Sequence, residues 1–434
     1  MRSKMIRITR RRAIVGLLSL VLLLVLIAAA CGEDDVPTLI PVPTAVPAAP
    51  APTAVPAAPA PTAMPAVATI RTEDEWTAEN PATLEEIEEA LQHHSGESFT
   101  EVSWGGAWQA AIRQGVMIPF TAKFNIEIIE DSPVEYAKIR AQSETGNVTW
   151  DVVDSGTRAV YQLGPTGDLE VLTPAYHNGY LDGWPEVAKT EWTGGAGILW
   201  STGLAYSLTS FPNHEGAPKS WADFWDVENF PGRRSLGDRP NENLFFAQFA
   251  LHPEILESSE LKAGIAALTD AQVAESMAHL RVIKPDIQVW WHGGTDCPQL
   301  LISGELDMCS AWNGRIWNAQ QTDEGKDLYY CYECGHLNQT SVFYLTKGTP
   351  NKHLAELYLA WMGFPEIGFE ISRYITYGPI HADALPFVST LPADLIAALP
   401  TSPIALERMV VVDEKWLGLN LDALAEIYQQ FLQE

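Results

Sequence analysis

The stretch Gln288–Gln320, QVWWHGGTDCPQLLISGELDMCSAWNGRIWNAQ, contains four of the chain's 15 tryptophans, where about one is expected by chance. It begins with a short apolar run that closes on Trp290-Trp291. Cys297–Ser303 is predicted to form one or two helical turns, which Gly304 ends because glycine favours the left-handed residue after a helix. A strand, a break and a helix within so few residues indicate an α/β protein.

The second half of the same stretch points to a site. Leu306–Ala311 is predicted to be a short apolar strand, and Trp312-Asn313-Gly314-Arg315 follows its carboxyl end. Ligands of open α/β sheets bind outside the carboxyl ends of strands. We therefore expect the Trp312 indole to stack on a ligand and the Arg315 guanidinium to pair with a ligand carboxylate. Burial in a core is the competing interpretation for the tryptophans, and a surface ion pair is the competing one for Arg315.

Strands and helices alternate on both sides of this stretch. Such an order is typical of a mostly parallel sheet flanked by helices. The predicted strands are Thr100–Trp104, Ile126–Glu130, Asp151–Asp154 and Arg234–Asp238. The predicted helices include Gln109–Phe120, Val134–Ser143, Arg158–Leu163, Asn243–Leu251, Asp270–Ile283 and Lys352–Trp361. About 335 residues of this alternation suit two α/β lobes, with Gly197–Ser207 and Ser341–Thr346 as candidate crossover strands between them.

The first 71 residues have a different composition. Residues 1–30 form a basic segment followed by an apolar one, and small residues precede Cys31. This pattern predicts a lipoprotein signal peptide with the lipid on Cys31, and an uncleaved membrane anchor is the alternative. A repeated Pro/Ala/Thr tract over Val36–Thr69 then predicts an extended linker. Both interpretations place the rest of the chain outside the cytoplasm, tethered to a membrane.

Charge excludes one class of partner. The net charge is −28, and removal of the leader, which holds six basic and no acidic residues, makes the remainder more negative. Such a surface repels nucleic acid and anionic headgroups.

Four cysteines follow Cys31, namely Cys297, Cys309, Cys331 and Cys334. An even number in an exported chain favours disulfides, for which three pairings are possible. The CxxC spacing of the last two, with His336 near them, leaves a zinc site as the alternative.

No motif for nucleotide binding or nucleophilic catalysis is present: GxxxxGK[ST], GxGxxG, GxSxG and HExxH are all absent. Aromatic and small polar residues at strand ends are instead what a solute-binding cleft requires. We predict no catalytic residue, no metal and no cofactor. An exported hydrolase with an unrecognised carboxylate pair stays an alternative, as does a structural surface protein.

Over about Phe99–Pro386 the chain resembles the spermidine/putrescine-type extracellular solute-binding proteins of ABC importers. The resemblance rests on four stretches in order: Val102–Trp108 (VSWGGAW), Trp150–Gly156 (WDVVDSG), Ser220–Gly232 (SWADFWDVENFPG) and Lys284–Arg315, which contains WWHGG and SAWNGR. It implies a two-lobed class II periplasmic-binding fold. It also implies a non-enzymatic receptor that works as a monomer and delivers solute to a membrane permease.

The resemblance also implies a set of ligand contacts. Carried over by position, these are Trp104, Trp108, Asp154, Ser155, Thr157, Asp238, Glu242, Trp312 and Tyr377. Asp238 and Glu242 match a loop that holds ammonium groups in polyamine binders. Tyr329-Tyr330 resembles the paired tyrosines of iron-binding relatives, which leaves a ferric-ion binder as the alternative within the class.

One departure bears on the ligand. Polyamine binders have acidic and aromatic residues before the second crossover strand, whereas this chain has Asn338-Gln339-Thr340-Ser341. A buried ammonium without a carboxylate is costly, so Asn338 and Gln339 suit a zwitterion, an amide or a polyol better. We expect a polyamine or a related amine or amino-acid-like compound.

The predicted organisation divides the chain into five parts. Residues 1–30 are the signal peptide, 31–71 the lipidated cysteine with its linker, and 72–97 a helical extension. Residues 98–203 with 341–380 are predicted to form lobe 1, and residues 204–340 with 381–434 to form lobe 2.

Overall fold

The computed structural model describes residues 70–434, in which strands and helices alternate. The strands are β1 (Ser98–Val102), β2 (Glu127–Asp131), β3 (Val152–Gly156), β4 (Gly194–Ser207), β5 (Arg234–Gly237), β6 (Ile287–Trp291), β7 (Met308–Trp312), β8 (Leu328–Leu345), β9 (Gly378–Pro379) and β10 (Met409–Val411). The helices are α1 (Leu84–Gln92), α2 (Gly106–Ile112), α3 (Ile118–Phe124), α4 (Tyr136–Thr145), α5 (Arg158–Leu163), α6 (Pro174–Leu181), α7 (Trp221–Trp225), α8 (Pro240–Leu251), α9 (Ser259–Gly264), α10 (Asp270–Ile283), α11 (Asp296–Ile302), α12 (Asn313–Gln320), α13 (Lys352–Gly363), α14 (Pro365–Gly368), α15 (Leu385–Val388), α16 (Ala393–Ala397), α17 (Pro403–Glu407) and α18 (Glu414–Gln433).

The strands form one mixed sheet with the order β2-β1-β3-β8-β4-β7-β5-β6, and β9 and β10 pair with β4 and β8. Strand pairing is parallel within β1-β2-β3 and within β5-β6-β7. The two long strands β4 and β8 are antiparallel to each other, to β3 and to β7. The predicted α/β class, with helices flanking a central sheet, is therefore confirmed.

The long strands connect the two parallel groups. They pair from Gly194 with Phe343 to Ser207 with Leu328, and the register shifts after Gly194 and again after Gly203. The last residues of β8 pair with β3, and Thr202–Tyr206 of β4 pair with β7. Sequence predicted only Ser341–Thr346 as the second crossover strand, whereas β8 is 18 residues long. The polar stretch before Ser341 belongs to the strand because it lies buried between neighbouring strands, where backbone pairing outweighs weak β propensity.

Local signals place the helix ends. The spacing of Thr83 and Glu86 predicts a capping box at the start of a helix, and Thr83 caps α1 in this way. The single helix predicted over Gln109–Phe120 is instead α2 and α3 joined by a π-helical segment, Arg113–Met117. α3 ends at Asn125, whose φ of 55° lies in the left-handed region.

Both ends of the described chain pack onto this framework. In the N-terminal extension, Arg71 pairs with Glu86 at 2.7 Å and Trp76 is buried. The final helix α18, which the sequence pattern did not reveal, begins at Glu414. That carboxylate accepts hydrogen bonds from the backbone N–H groups of Thr340 (3.0 Å) and Arg158 (3.2 Å). The C-terminal helix thus starts beside the crossover strands.

The four cysteines pair as Cys297–Cys309 and Cys331–Cys334. The first disulfide joins α11 to β7, and the second closes a short loop within β8. Within residues 70–434, no group of three or more His, Cys, Asp or Glu side chains could hold a metal ion. His336 does not approach the sulfurs as a ligand would, since its ring lies between Ser201 and the backbone carbonyl of Ala405.

The predicted signal peptide, Cys31 and nearly all of the predicted linker lie outside the described residues. In the part of the chain that is described, no helix has the length and apolar character needed to cross a membrane. The predicted lobe boundaries remain predictions.

The two disulfides close loops of different length. The bonded cysteines are 12 residues apart in Cys297–Cys309 and 3 residues apart in Cys331–Cys334. A longer loop loses more chain entropy when it is closed in the unfolded state. We expect the double variant Cys297→Ser/Cys309→Ser to lower the free energy of unfolding by about 3 kcal/mol, and Cys331→Ser/Cys334→Ser by about 2 kcal/mol. Urea denaturation of the oxidised proteins measures both, and the reverse order would contradict the loop-entropy explanation.

Candidate ligand-binding site

A cavity lies where the carboxyl ends of strands from both parallel groups meet the crossover strands. Its empty space, counted together with the solvent at its open mouth, is about 400 Å³. This is room for a small solute of a few heavy atoms. The lining residues are Trp104, Trp108, Gly156, Arg158, Ile198, Trp200, Arg239, Trp312, Arg315, Ser341 and Tyr377.

Trp312 is the centre of a cluster of indoles. Its ring meets those of Trp200, Trp291 and Trp104 edge to face, with centroids 5.5, 5.7 and 6.4 Å away. Edge-to-face contacts of this kind stabilise aromatic pairs beyond their buried area. The Trp312 side chain is thus both part of the core and part of the cavity wall, and its stacking on a ligand stays a prediction.

Three guanidinium groups reach the cavity with N–H groups that have no protein partner. Arg315 and Arg158 are 3% and 5% exposed. Arg315 donates to the backbone carbonyl of Gly105 at 3.0 Å, while its Nε and Nη1 are buried and unpaired. Nη1 of Arg158 and Nε of Arg239 are likewise buried and unpaired. Buried charged donors without acceptors are costly, so the arrangement favours an anionic ligand group.

Backbone shape makes room for Arg315. Gly105 and Gly106 have φ values of 65° and 57°, and a Cβ on Gly106 would lie 2.8 Å from Nη1 of Arg315. The two glycines of the VSWGGAW stretch therefore let the chain turn into α2 while the guanidinium packs against it.

Two buried carboxylates, those of Asp154 and Glu242, hydrogen-bond to tryptophans of the cavity wall without lining the cavity themselves. Asp154 accepts hydrogen bonds from Ser103 Oγ (2.6 Å) and from Trp108 Nε1. Glu242 accepts from Thr202 Oγ1 (3.2 Å) and from Trp312 Nε1 (3.3 Å). Burial raises the pKa of Asp154 to about 6, although its hydrogen bonds and the charge of Arg315 oppose this shift. Burial also raises the pKa of Glu242, and the charge of Arg239 opposes it.

The structure thus brings together five of the predicted contacts, Trp104, Trp108, Trp312, Arg315 and Tyr377, along the cavity. Asp154 and Glu242 support indoles of the wall from behind. The remaining predicted contacts, Ser155, Thr157, Asp238, Asn338 and Gln339, do not line it.

The five predicted contacts that do not line the cavity have other environments. Ser155 hydrogen-bonds to Tyr136 and Thr157 to Thr340. Asp238 lies 3.3 Å from the ring of His292. Asn338 donates to the Pro400 carbonyl and the Met409 sulfur, and Gln339 is buried with its amide group unpaired.

Four polar or aromatic wall residues were missed as contacts: Arg158, Trp200, Arg239 and Ser341. Arg158 and Arg239 come just after the carboxyl ends of β3 and β5, so their strand-end position was a usable signal. The prediction chose neighbouring acids instead. Nothing in the sequence shows which face of β4 or β8 carries the cavity, and so Trp200 and Ser341 could not be selected.

The tyrosine pair considered for iron lies outside the wall. Tyr329 donates to Glu333 at 2.6 Å, and Tyr330 shares a hydrogen bond of 2.7 Å with Ser201. Neither hydroxyl lines the cavity, so their arrangement lends no support to ferric-ion binding there.

Comparison with known proteins gives matches over most of the described chain. A family model described as bacterial extracellular solute-binding protein matches residues 115–398. The gamma-aminobutyric acid-binding protein of Pseudomonas aeruginosa is 34% identical over 344 residues, which are 79% of this chain and 92% of that protein. All of these comparisons concern solute-binding proteins.

Solved structures of solute-binding proteins are also similar to this chain. MotA from A. tumefaciens B6, solved in complex with glucopine, is 26% identical with a TM-score of 0.69, and the match covers 77% of this chain and 99% of that chain. The substrate-binding protein of a Streptococcus pneumoniae spermidine/putrescine ABC transporter is 15% identical with a TM-score of 0.57, covering 78% and 99% of the two chains. The latter similarity shows the fold alone. The two-lobed fold is confirmed, and the spermidine/putrescine type is not.

The buried carboxyl of Asp154 generates a pH dependence. Its pKa is about 6 in the folded chain against 3.8 for the free side chain. The folded protein keeps this proton where the unfolded chain has lost it, so the free energy of unfolding falls as pH rises from about 4 to about 6. Asp154→Asn cannot titrate, and we expect the difference between variant and wild type to change by about 3 kcal/mol over that range.

Urea denaturation at a series of pH values measures this difference. Asp323→Asn, which removes an exposed carboxyl, is the control and should parallel the wild type. A difference between Asp154→Asn and wild type that does not vary with pH would show that the carboxyl titrates normally.

Proposed function

Since the chain belongs to the bacterial extracellular solute-binding proteins, we propose that it captures a small amino-acid-like solute with a carboxylate and delivers it to an ABC permease. The observation that carries this proposal is the set of unpaired guanidinium N–H groups of Arg158 and Arg315 at an indole-lined cavity. A carboxylate supplies the acceptors that these donors lack, in the paired geometry that guanidinium groups favour.

The same charges argue against a polyamine. The wall residues include three arginines and no carboxylate. The two nearby acids lie behind the wall, where one oxygen of each accepts hydrogen bonds from wall or neighbouring groups and the other has no partner. A dication would meet like charges in a poorly solvated space, which is costly. The cavity thus supports the amino-acid side of the sequence-based expectation over the polyamine side.

The other end of such a solute would face the Ser341 side chain and the indole of Trp200. Aromatic faces attract ammonium groups, and hydroxyl oxygens accept their hydrogen bonds. The gamma-aminobutyric acid-binding relative makes gamma-aminobutyric acid the first solute to test.

Two further parts of the proposal rest on sequence. We propose that the strand groups form two lobes at the boundaries predicted above, with β4 and β8 as the hinge, and that the protein acts as a monomer without catalysis. We also propose that Cys31 carries a lipid and that the linker holds the domain away from the membrane.

Ligand binding is testable by calorimetry with gamma-aminobutyric acid and with putrescine. We expect the wild type to bind the amino acid and not the diamine. Arg158→Gln and Arg315→Gln should each weaken binding about 100-fold, because a charged hydrogen-bonded pair contributes on the order of 3 kcal/mol. Arg281→Gln, on an exposed face of α10, is the control and should bind normally.

Native mass spectrometry of the purified protein would identify any solute that remains bound. Binding of putrescine by the wild type, with no response to short amino acids, would reject the carboxylate proposal. Equal affinities for Arg315→Gln and the Arg281→Gln control would remove the cavity from the proposed mechanism.

The lipid anchor has a separate test. In cells that make the protein, Cys31→Ser should abolish lipid attachment and leave the apolar leader on the chain, because the leader is removed only after Cys31 carries the lipid. The molecular mass of the wild type and of the variant measures this. A wild type whose mass includes residues 1–30 and no lipid would favour the uncleaved anchor.

A further inference from the structure

Arg239 occupies a position inside the tryptophan cluster. Its guanidinium carbon lies 4.7, 5.3 and 5.9 Å from the ring centroids of Trp312, Trp291 and Trp104. We call these three indoles the cage. Each distance is within the range of an attractive cation–π contact, so the cage is already filled by a cation that belongs to the protein.

The cage has a carboxylate beside it. Glu242 lies one turn along α8 from Arg239, is 1% exposed, and accepts a hydrogen bond from the indole N–H of Trp312. Its second oxygen, Oε2, is buried and has no partner. Burial raises the pKa of Glu242, and Arg239 is close enough for its charge to oppose that shift. Three aromatic faces and a desolvated carboxylate are the groups that bind a free organic ammonium ion.

Arg239 is held in this position by the backbone. Its Nη2 donates to the carbonyl of His292 at 2.7 Å. That carbonyl directly follows β6, and Arg239 itself lies between β5 and the first turn of α8. The guanidinium is therefore anchored to the same strand group as Trp291 and Trp312, and it fills the cage independently of any solute.

We propose that Arg239 is a specificity-determining residue: its guanidinium takes the place of a ligand ammonium in the cage and so excludes organic cations that lack a carboxylate. This proposal rests on the proposed function, because it assumes that solutes enter this cavity. It explains why the cavity wall is positively charged although three indoles and the buried Glu242 carboxylate lie beside it. Removal of Arg239 should leave Glu242 and the three indoles as an empty ammonium site.

The test compares binding of tetramethylammonium to the purified full-length wild type and variants by calorimetry. Tetramethylammonium carries a charge but no hydrogen-bond donor, so it probes the cage alone. We expect Arg239→Ala to bind it at least about tenfold more tightly than the wild type, which corresponds to the gain of one or two cation–π contacts. Arg239→Lys keeps a cation in the cage and should resemble the wild type.

A second substitution identifies the carboxylate. Arg239→Ala/Glu242→Gln should lose most of the affinity that Arg239→Ala gains, while Arg281→Ala, which removes an exposed charge elsewhere, should gain none. If Arg239→Ala does not fold, Arg239→Gln replaces it, since the neutral amide removes the charge while a donor remains for the His292 carbonyl. Thermal unfolding establishes which variants are folded.

A folded Arg239→Ala or Arg239→Gln that binds tetramethylammonium no better than wild type would overturn the proposal. That outcome is distinct from failure of the proposed function, which would appear as a wild type that binds no short amino acid. Tight tetramethylammonium binding by the wild type itself would also overturn it, because the cage would then accept a second cation.

Discussion

The antiparallel pairing of β4 and β8 is the interaction on which the rest of the structure depends. These strands lie side by side at the centre of the sheet, and their ladder extends from Gly194 with Phe343 to Ser207 with Leu328. Each parallel group is attached to this pair along one side. Because backbone hydrogen bonds set the register of every attached strand, the ladder determines which strand ends face each other across the cavity.

The cavity that results concentrates positive charge in an aromatic setting. Arg158, Arg239 and Arg315 come from different segments. Arg239 and Arg315 each donate to a backbone carbonyl and pack against the Trp312 indole. Asp154 and Glu242 compensate part of this charge from behind, but they are engaged by wall donors. The remaining unpaired N–H groups favour a ligand carboxylate, since burial raises the cost of an unsatisfied charge. Ligand specificity then depends on which buried charges are already paired within the protein and which are left for a ligand to pair.

Much of the framework was predictable because it follows from local patterns. The boundaries of α10 are as predicted, and α1 begins at its predicted capping box. The side chains on the crossover strands were not predictable in the same way. Successive side chains of a strand point to opposite faces, so Ser341 lines the cavity while Asn338 contacts Pro400 and Met409. In a strand buried on both faces, no polar alternation marks the functional one.

The sequence by itself determined the α/β alternation, the position of Trp312 at a strand end, and the leader and linker composition, because these depend on residues that are close along the chain. Only the tertiary structure decided that Arg158 and Arg239 share a cavity with Arg315, and that Arg239 fills the indole cage. Those contacts join residues far apart in sequence. Their meeting depends on strand order and register, which a local pattern of hydrophobicity does not encode.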